Sequence, residues 1–430
     1  MFVSVCIRLL MLEDFNFWSC TNTDVFSGMN LLIVHQNFPG QFRHVAMEAL
    51  RRRFNVLAIG RDTAPGMVGV KLLHYQSLIK GFNDGHPYLR SYETAVLDGQ
   101  SVFWLLKQLK QEGYRPDIIL AHPGWGETLF AKDVYPDVPL IHFCEYYYRA
   151  QGADSDFDPE FPNAPDASSR LRVLNSMHLL NLDQCDIGIA PTRWQRDLFP
   201  KIYQSKIRVI HEGVIQASHD ETVESVRLPS GRVIKACQPI VTYVARNLEP
   251  YRGFHIFMRS ISYIQAECPA AQIVIVGGDE VSYGRRPVGY KSWRERMLSE
   301  VSCDVSNVHF TGKLPYQKYR AVLNVSTVHV YLTYPFVLSW SLLEAMASGC
   351  VVVASDTAPV KEVVVHGRNG VLADFFQNES IAASVCRVLS CPSDFEHVRK
   401  AARLTASSFD VSAGLKGYFQ VFEDAMAGRF

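Results

Sequence analysis

The chain has 430 residues, of which 48% are hydrophobic, so it is long enough for two domains that each bury a core. Its 43 basic and 43 acidic residues leave a formal net charge of zero, so the overall charge excludes a strongly basic protein and shows no sign of nucleic-acid binding. The ten cysteines form no CxxC pair and no cluster with zinc spacing, which favours reduced thiols in a cytoplasmic protein.

The first 28 residues precede the first clear strand pattern. Glu13 and Asp14 interrupt an apolar run, and no small-residue cleavage site follows, which argues against a signal peptide. No apolar run in the sequence reaches the ~18–20 residues that a membrane-spanning helix needs. We therefore expect residues 1–28 to be a poorly ordered extension.

Short apolar runs alternate with amphipathic stretches over residues 29–217. The apolar runs are nearly continuous, as expected of strands that are covered on both faces of a parallel sheet. They predict strands at 31–35, 54–60, 117–122, 139–144, 186–191 and 207–213, with a helix at 41–53. Residues 29–217 are therefore predicted to form one βα domain.

A second alternating series follows a polar stretch at 218–236, which lacks a strong period and is predicted to connect two domains. Its strands are predicted at 239–245, 271–278, 307–312, 328–333, 350–355 and 370–374. Residues 237–410 are therefore predicted to form a second βα domain, and residues 411–430 are predicted to form a C-terminal helix. The cleft between two such domains is a preferred place for a ligand.

Three nucleotide-binding and hydrolase patterns are absent from the sequence. No GxGxxG follows the first strand of either half, which weakens the case for a dinucleotide oxidoreductase. No GxxxxGK[ST] and no GxSxG occurs, which disfavours a P-loop nucleotide hydrolase and an α/β-hydrolase.

The segment from Tyr334 to Gly349 places a carboxylate on a short helix between two apolar strands. Helical spacing puts Ser341, Glu344 and Ser348 on one face, and Gly349 is typical of the residue that ends a helix. A buried carboxylate needs a polar partner. In an α/β fold we expect that partner to be a ligand at the carboxyl ends of the strands.

Four ordered blocks of the second half resemble glycosyltransferase family 4 (group 1). They read VARNLEPYRGFHIFMRSI, IVIVGGDE, VHFTGKLPYQKY and LLEAMASGCVVVASDTAPVKEVVVHGRNGVL, and the first half is similar more weakly through LLIVHQNFPGQFRHVAMEAL and IILAHPGWGETLF. The resemblance covers most of the chain from Met29 to about residue 410. It implies an α/β fold of GT-B architecture, with two Rossmann-like domains facing across a cleft and C-terminal helices packing back toward the first domain.

The resemblance also implies a retaining, metal-independent transferase that moves a hexose from a nucleotide-diphosphate sugar. Without a metal, cationic side chains and backbone N–H groups hold the diphosphate charge. Arg246 and Arg252 occupy the places of the family's pyrophosphate-binding residues, although arginines in a solvated loop can also simply face water. Glu344 would bind the ribose hydroxyls. The other expected donor contacts are Gly312, Lys313 and Leu314 at the base, and Leu338, Ser339, Trp340 and Ser341 at the phosphates.

Three residues of the first domain are further candidates. Gly40, in the first βα turn, lets the backbone approach the diphosphate, or is an ordinary turn glycine. His122 matches a family histidine that faces the transferred sugar, and the alternative is a structural role at the end of a strand. Glu145 is a weaker candidate for contact with the acceptor or for a base.

Phe336 departs from the family pattern, which has a pair of glutamates eight positions apart. A phenyl ring cannot accept a hydrogen bond from a sugar hydroxyl as a carboxylate does. The contact to the donor hexose is therefore missing or supplied by another group. The loop that follows, residues 337–340, also differs from the glycine-rich loop of the family.

The resemblance implies a polysaccharide, lipid-linked or small-molecule acceptor, often in cell-envelope biosynthesis, and a cytoplasmic location that extends to the inner face of the membrane. Arg51, Arg52 and Arg53 are candidates for peripheral lipid contact, but a helix C-terminus also favours cations for local reasons, which we prefer. Two other functions stay open: a GT-B-fold nucleotide-sugar epimerase, and a nucleotide-sugar-binding scaffold without turnover.

Overall fold

The computed structural model describes residues 28–77, 85–216 and 223–430. The predicted extension, residues 1–28, lies outside these ranges except for Gly28. Among the described residues, no helix is both long and apolar enough to cross a membrane.

The first domain is built on a parallel sheet that has seven strands within the described ranges. The strands are β1 (Asn30–Val34), β2 (Asn55–Arg61), β3 (Lys71–Tyr75), β4 (Ile118–Ala121), β5 (Leu140–Phe143), β6 (Ile187–Ala190) and β7 (Ile207–Val209). They lie in the order β3-β2-β1-β4-β5-β6-β7. The helices are α1 (Arg43–Arg51), α2 (Arg90–Gln111), α3 (Ala131–Val134), α4 (Ala167–Gln184), α5 (Arg193–Leu198) and α6 (Lys201–Gln204).

Six of these strands coincide with predicted runs, and β3 does not. Every residue of β4, β5 and β6 is buried, which is why their sequences are continuously apolar. β3 lies at the edge of the sheet, where Lys71 and His74 are exposed. An edge strand therefore lacks the apolar signal by which the others were found.

A hairpin lies within the stretch that was predicted as the interdomain connection. Its antiparallel strands are β8 (Ser225–Arg227) and β9 (Val233–Lys235). Val226 and Ile234 are buried in one cluster with Ile240 and Val274 of the second domain. The polar stretch thus contributes apolar side chains to the core of the second domain.

The second domain has a parallel sheet of six strands among the described residues. The strands are β10 (Ile240–Asn247), β11 (Gln272–Gly278), β12 (Val308–Gly312), β13 (Val328–Tyr331), β14 (Val351–Ser355) and β15 (Val371–Ala373). They lie in the order β12-β11-β10-β13-β14-β15, and all six overlap predicted runs. The helices are α7 (Phe254–Glu267), α8 (Trp293–Glu300), α9 (Tyr316–Asn324), α10 (Trp340–Ala347), α11 (Ala358–Lys361), α12 (Asn378–Ser390), α13 (Glu396–Ser407) and α14 (Val411–Met426).

The last helix, α14, leaves the second domain and packs on the first. Its Tyr418 and Phe422 are fully buried in the same apolar cluster as Leu31 and Ile33 of β1. The backbone of residues 211 and 212 lies so close to Gly414 that a Cβ there would approach within 2.6 Å of the His211 carbonyl oxygen. The C-terminal helix therefore belongs structurally to the first domain.

The arginines at the end of α1 have local partners. Arg51 and Arg52 both form ion pairs with Glu48, at 2.7 Å. The Arg52 guanidinium also lies 3.9 Å from the ring centroid of Phe419 in α14. These contacts tie the end of α1 to the C-terminal helix.

Candidate functional site

A chain of hydrogen bonds joins three loops at the carboxyl edge of the first sheet. His35 Nε2 lies 2.7 Å from Gln41 Oε1, and Gln41 Nε2 donates to Glu145 Oε1 at 2.9 Å. His122 Nε2 lies 3.3 Å from Glu145 Oε2. Because His122 Nδ1 accepts from the Gly124 N–H, the proton of a neutral His122 ring is on Nε2 and faces Glu145. The two predicted residues, His122 and Glu145, are therefore brought into direct contact.

The charges of this chain are set by burial and by hydrogen bonds. Burial, followed by the neighbouring His122, lowers the pKa of His35 to about 4, so its imidazole is neutral at pH 7. Burial opposes ionisation of Glu145, but hydrogen bonds from His122 and Gln41 outweigh it and hold the pKa of Glu145 below its ordinary value. Glu145 is therefore a fixed, ionised acceptor that can bind a hydroxyl or take up a proton.

Neighbouring rings fix the orientation of His122 and exclude a side chain at position 40. The His122 ring stacks on Trp125, with centroids 4.4 Å apart and planes at 26°. Gly40 has φ +46°, and a Cβ there would lie 2.4 Å from the His35 ring. Glycine is thus required at position 40 by the close approach of His35.

Glu344 is buried on α10 and faces α9. Its Oε1 accepts from the Tyr316 hydroxyl at 3.0 Å, and its Oε2 accepts from the Tyr319 hydroxyl at 2.7 Å. The protein therefore supplies polar partners, where the sequence indicated a ligand. Each carboxylate oxygen has a second lone pair, so Glu344 can accept further hydrogen bonds in the orientation that the tyrosines fix.

The N-terminus of α10 lies beside this carboxylate in sequence and is capped by its own loop. The Ser339 side chain accepts from the Ser341 N–H, while the Ser339 N–H donates to the Tyr331 hydroxyl at 2.8 Å. Leu338 is buried, and the exposed Trp340 donates from Nε1 to Glu212 Oε1 at 3.2 Å. Glu212 follows β7, the last strand of the first sheet, so this contact joins the two domains.

The two arginines predicted to hold the diphosphate have different environments. Arg246 is exposed. Arg252 is buried, and its Nη1 donates to Thr333 Oγ1 at 3.0 Å and to the Val337 carbonyl at 2.8 Å. Arg252 therefore holds the loop between β13 and α10 in this structure.

The base-side loop is short and partly exposed. Gly312 has φ +68° with open space around it, and Lys313 Nζ pairs with the exposed Glu280 at 2.8 Å. Leu314 packs against apolar clusters next to α9 and α10. Gly312 is the last residue of β12, and Lys313 and Leu314 follow it at the carboxyl edge of the second sheet, where a loop was predicted.

Phe336 lies in an aromatic cluster that both domains share. Its ring centroid is 4.8 Å from that of Tyr146, 5.4 Å from that of Tyr251 and 4.9 Å from that of Tyr283. The Arg252 guanidinium lies 5.6 Å from the Phe336 centroid. Phe336 is only 7% exposed. A buried aromatic ring therefore occupies the position where the family has a carboxylate.

Residues 146–161, here called the bridging segment, run from the first domain over the second. Asp154 accepts from the hydroxyls of Tyr146 and Tyr251, at 2.6 and 2.9 Å. Asp158 accepts from Tyr334 at 2.5 Å and lies 3.0 Å from His255 Nε2. These two buried carboxylates anchor the segment to the second domain.

The far end of the bridging segment forms a more exposed ion-pair network. Glu160 pairs with Arg259 at 2.7 Å and with Arg296 at 2.9 Å. Phe161 packs edge-on against the rings of His255 and Trp293. The first domain is thereby tied to α7 and α8 as well as to the β13–α10 loop.

The bridging segment and Glu212 were not predicted as functional residues. Irregular loops longer than about 12–15 residues are uncommon in compact domains and are often functional, which was an available signal for the segment after β5. No signal in the sequence distinguished Glu212. No group of three or more His, Cys, Asp or Glu side chains in the described ranges is arranged to hold a metal ion.

Both halves of the chain match models of glycosyltransferase families. Residues 52–217 match the model described as Glycosyl transferase family 4 group, and residues 238–391 match the one described as Glycosyl transferases group 1. A phosphatidyl-myo-inositol mannosyltransferase of Propionibacterium freudenreichii is 27% identical over 280 residues, 64% of this chain and 65% of that protein. An uncharacterised glycosyltransferase of Methanocaldococcus jannaschii is 29% identical over 143 residues, 32% of this chain and 36% of that protein. The chain thus spans about a third to two thirds of the length of these curated relatives.

Solved structures resemble the whole fold. Sucrose-phosphate synthase from Thermosynechococcus elongatus aligns with a TM-score of 0.67 at 18% identity, over 93% of this chain and 100% of that one. Anabaena HepE in complex with UDP and glucose aligns with a TM-score of 0.63 at 17% identity, over 92% and 100%. Identities this low show the fold alone. The predicted fold, a GT-B architecture whose C-terminal helix returns to the first domain, is confirmed.

Proposed function

The chain belongs to the group 1 glycosyltransferases, and on that premise we propose that it transfers a hexose, with retention, from a nucleotide-diphosphate sugar to a hydroxyl acceptor. The observation that carries the proposal is the pair of polar sites at the facing edges of the two sheets. On one side Tyr316 and Tyr319 orient the Glu344 carboxylate, and on the other His122 and Gln41 orient Glu145.

We assign the donor to the second domain. Glu344 accepts hydrogen bonds from the ribose hydroxyls, and the N-terminus of α10 with Arg246 faces the diphosphate, where the helix dipole and a cation favour negative charge. The loop Gly312–Leu314 contacts the base. UDP-sugars are the first donors to test because Anabaena HepE, a neighbour in fold, was solved with UDP and with UDP-glucose.

We assign the acceptor to the first domain, where Glu145 and His122 orient its hydroxyl. The hydroxyl attacks the anomeric carbon on the face that the diphosphate leaves, so one C–O bond breaks as another forms. The hydroxyl proton passes to the departing diphosphate, which needs neither a covalent enzyme intermediate nor a metal ion. Arg246 and the helix N-terminus stabilise the charge that develops on the leaving group.

The proposal extends to glycan or lipid-linked acceptors in cell-envelope polysaccharide synthesis, at the cytoplasmic face of the membrane. A nucleotide-sugar-binding scaffold is the second candidate, because one observation favours it. Phe336 is buried among tyrosines, and Arg252 is engaged by the β13–α10 loop, so the sugar end of the donor site differs from that of the family.

A panel of UDP-, GDP- and ADP-sugars separates the two candidates. The melting temperature of the protein reports binding, and nucleotide release in the presence of mixed glycan acceptors reports transfer. A transferase shows both signals with the same donor. Stabilisation by a nucleotide sugar without nucleotide release supports the scaffold, and no stabilisation by any donor contradicts both.

A further inference from the structure

A cavity of about 90 Å³ lies in the first domain, between the sheet and α4. At ~30 Å³ for each water-sized group, it has room for about three such groups, which matches one edge of a sugar ring. The partly exposed Glu145 side chain lies at its solvent side, and His142 of β5 and His178 of α4 line its interior. The cavity therefore continues from the proposed acceptor site into the domain.

His142 is the group within this cavity that lacks a partner. Its side chain has no solvent exposure, and neither ring nitrogen has a hydrogen-bond partner of ordinary geometry among the described residues, although the Asn181 backbone is near enough to favour its protonated form slightly. Burial, followed by the nearby Lys206, lowers the pKa of His142 to about 3. Its neutral ring offers one donor and one acceptor, and a buried polar group without a partner favours any ligand that pairs with it.

The remaining polar lining is also uncharged or already paired. Burial, followed by His122, lowers the pKa of His178 to about 4, so this ring is neutral as well. Asn181 donates to the Pro123 and Met177 carbonyls and accepts from Thr128. The free hydrogen-bonding capacity of the cavity is therefore that of neutral imidazoles in its interior and of the Glu145 carboxylate at its solvent side.

The charges around the cavity disfavour an anion. Neither lysine nor arginine is among the residues that line it. Lys206 and Lys132, the cations nearest to His142, are bonded to the Cys185 carbonyl and to Asp186, at 2.7 Å each. Glu145 carries the negative charge at the solvent side and would repel a phosphate.

An aromatic face completes the site. Trp125 lines the cavity and stacks on His122, and its side chain is partly exposed. An indole ring supplies apolar area against which the C–H face of a sugar can pack. The cavity thus combines hydrogen-bond donors and acceptors for ligand hydroxyls, an aromatic face and a lining without a lysine or arginine. These features together recognise an uncharged carbohydrate.

We propose that this cavity binds the hydroxylated edge of an uncharged acceptor, a sugar or polyol unit, and that it rejects sugar phosphates. The inference rests on the proposed function, because it names the acceptor class of the same first-domain site. Tyr146 of its lining contacts Phe336, but none of the lining residues contacts Glu344 or the Gly312–Leu314 loop, so UDP binding and acceptor binding can be measured separately.

Saturation-transfer NMR on the full chain tests the inference with methyl α-glucoside, methyl α-mannoside and glycerol as neutral probes, and glucose 6-phosphate as the anionic probe. We expect at least one neutral probe to bind, and glucose 6-phosphate not to displace it. His142→Leu should weaken that binding at least tenfold, and His142→Gln, which keeps a donor and an acceptor, should restore part of it. His329→Leu is the matched control, because His329 is a fully buried histidine of β13 in the second domain.

Three results would overturn the inference: competition by glucose 6-phosphate equal to that of the neutral probes, unchanged binding by a folded His142→Leu variant, or no binding of any neutral probe. Circular dichroism establishes that the variants are folded, and if His142→Leu does not fold, Trp125→Ala takes its place. Titration with UDP on the same samples reports the donor site. A protein that binds neutral glycosides but no nucleotide refutes the proposed function and leaves the acceptor site standing.

Discussion

The rings of Tyr146 and Phe336 meet across the boundary between the two domains, with their centroids 4.8 Å apart. Tyr146 belongs to the bridging segment of the first domain, and its hydroxyl donates to Asp154, which also holds Tyr251 of the second. The position that carries a carboxylate in related enzymes is therefore used here for an interdomain aromatic contact. Under the proposed function, this exchange would link donor recognition to the arrangement of the domains.

Truncation of Phe336 should destabilise the fold as a core truncation does. Phe336→Ala should lower the free energy of unfolding by about 3–5 kcal/mol, because it leaves a cavity among three tyrosine rings. Urea denaturation followed by tryptophan fluorescence measures the change. The control is Phe376→Ala, which removes a ring that is 39% exposed and should cost less. Equal costs for the two variants would contradict a buried role for Phe336.

Asp158 should make the interdomain contact sensitive to acid. Burial opposes its ionisation, but hydrogen bonds from His255 and Tyr334 prevail and lower its pKa below the ordinary 3.8. A carboxylate with a lowered folded-state pKa stabilises the fold above its unfolded pKa, and this contribution is lost as the pH falls through the folded value. Asp158→Asn should therefore be less stable than the wild type at pH 7 and should lose less stability on acidification below pH 4. A parallel pH dependence of the two proteins in urea denaturation would refute this assignment.

Glu212 should have the opposite pH dependence. Burial raises its pKa to about 7 and outweighs the hydrogen bond from Trp340. Its Oε2 has no hydrogen-bond partner among the described residues, and the His211 ring, 3.8 Å away, is neutral at pH 7 because burial lowers its pKa to about 4. A carboxyl group with a raised folded-state pKa binds more protons in the fold, so its contribution to stability declines as the pH rises from about 4.5 through 7. Glu212→Gln should remove that decline and gain stability relative to the wild type at pH 8 by about 1–3 kcal/mol. Glu362→Gln is the control, since Glu362 also joins the two domains but accepts two backbone N–H bonds.

A side chain at Gly40 should destabilise the fold more than a side chain at Gly113, which also has a positive φ but has open space around it. Gly40→Ala would add strain from φ +46° and a clash at 2.4 Å with the His35 ring. We expect a loss of about 2–4 kcal/mol, against about 1 kcal/mol for Gly113→Ala, where φ is +85° and nothing lies within 4 Å. Thermal denaturation of both variants provides the comparison. Similar losses would mean that the His35 ring moves aside.

The two parallel sheets could be predicted because their central strands are buried on both faces, and continuous apolar runs such as 118–121 and 351–355 record that burial directly. β3 escaped prediction because an edge strand has exposed positions such as Lys71 and His74. The hairpin β8–β9 was not predicted because it buries mainly two apolar side chains, Val226 and Ile234, which are too few to form a recognisable apolar run. Periodicity reports local burial, so it fails where an element is short or half-covered.

The sequence indicated which residues belong to the candidate site, but not which side chains form hydrogen bonds or packing contacts with them. The sequence indicated that Glu344 needs a polar partner, yet Tyr316 and Tyr319 lie 28 and 25 residues away and are brought to it by the packing of α9 on α10. Phe336 was recognised as a departure, but its contact with Tyr146 spans 190 residues and depends on how the domains meet. Such long-range contacts follow from tertiary packing, which no local pattern in a single sequence encodes.

The central claim is that Glu344 belongs to a nucleotide-binding site, and calorimetric titration of UDP into the wild type and Glu344→Gln tests it most directly. The substitution keeps the volume and one oxygen acceptor but removes the charge, so we expect a loss of about 1–3 kcal/mol, or roughly five- to 150-fold in affinity. Tyr319→Phe is the matched control: it removes a hydroxyl that holds the carboxylate at 2.7 Å but leaves the carboxylate itself, and should cost less. Saturable UDP binding by the wild type that weakens in Glu344→Gln supports the account. Equal UDP affinity of the two proteins, or no UDP binding by the wild type, would contradict it.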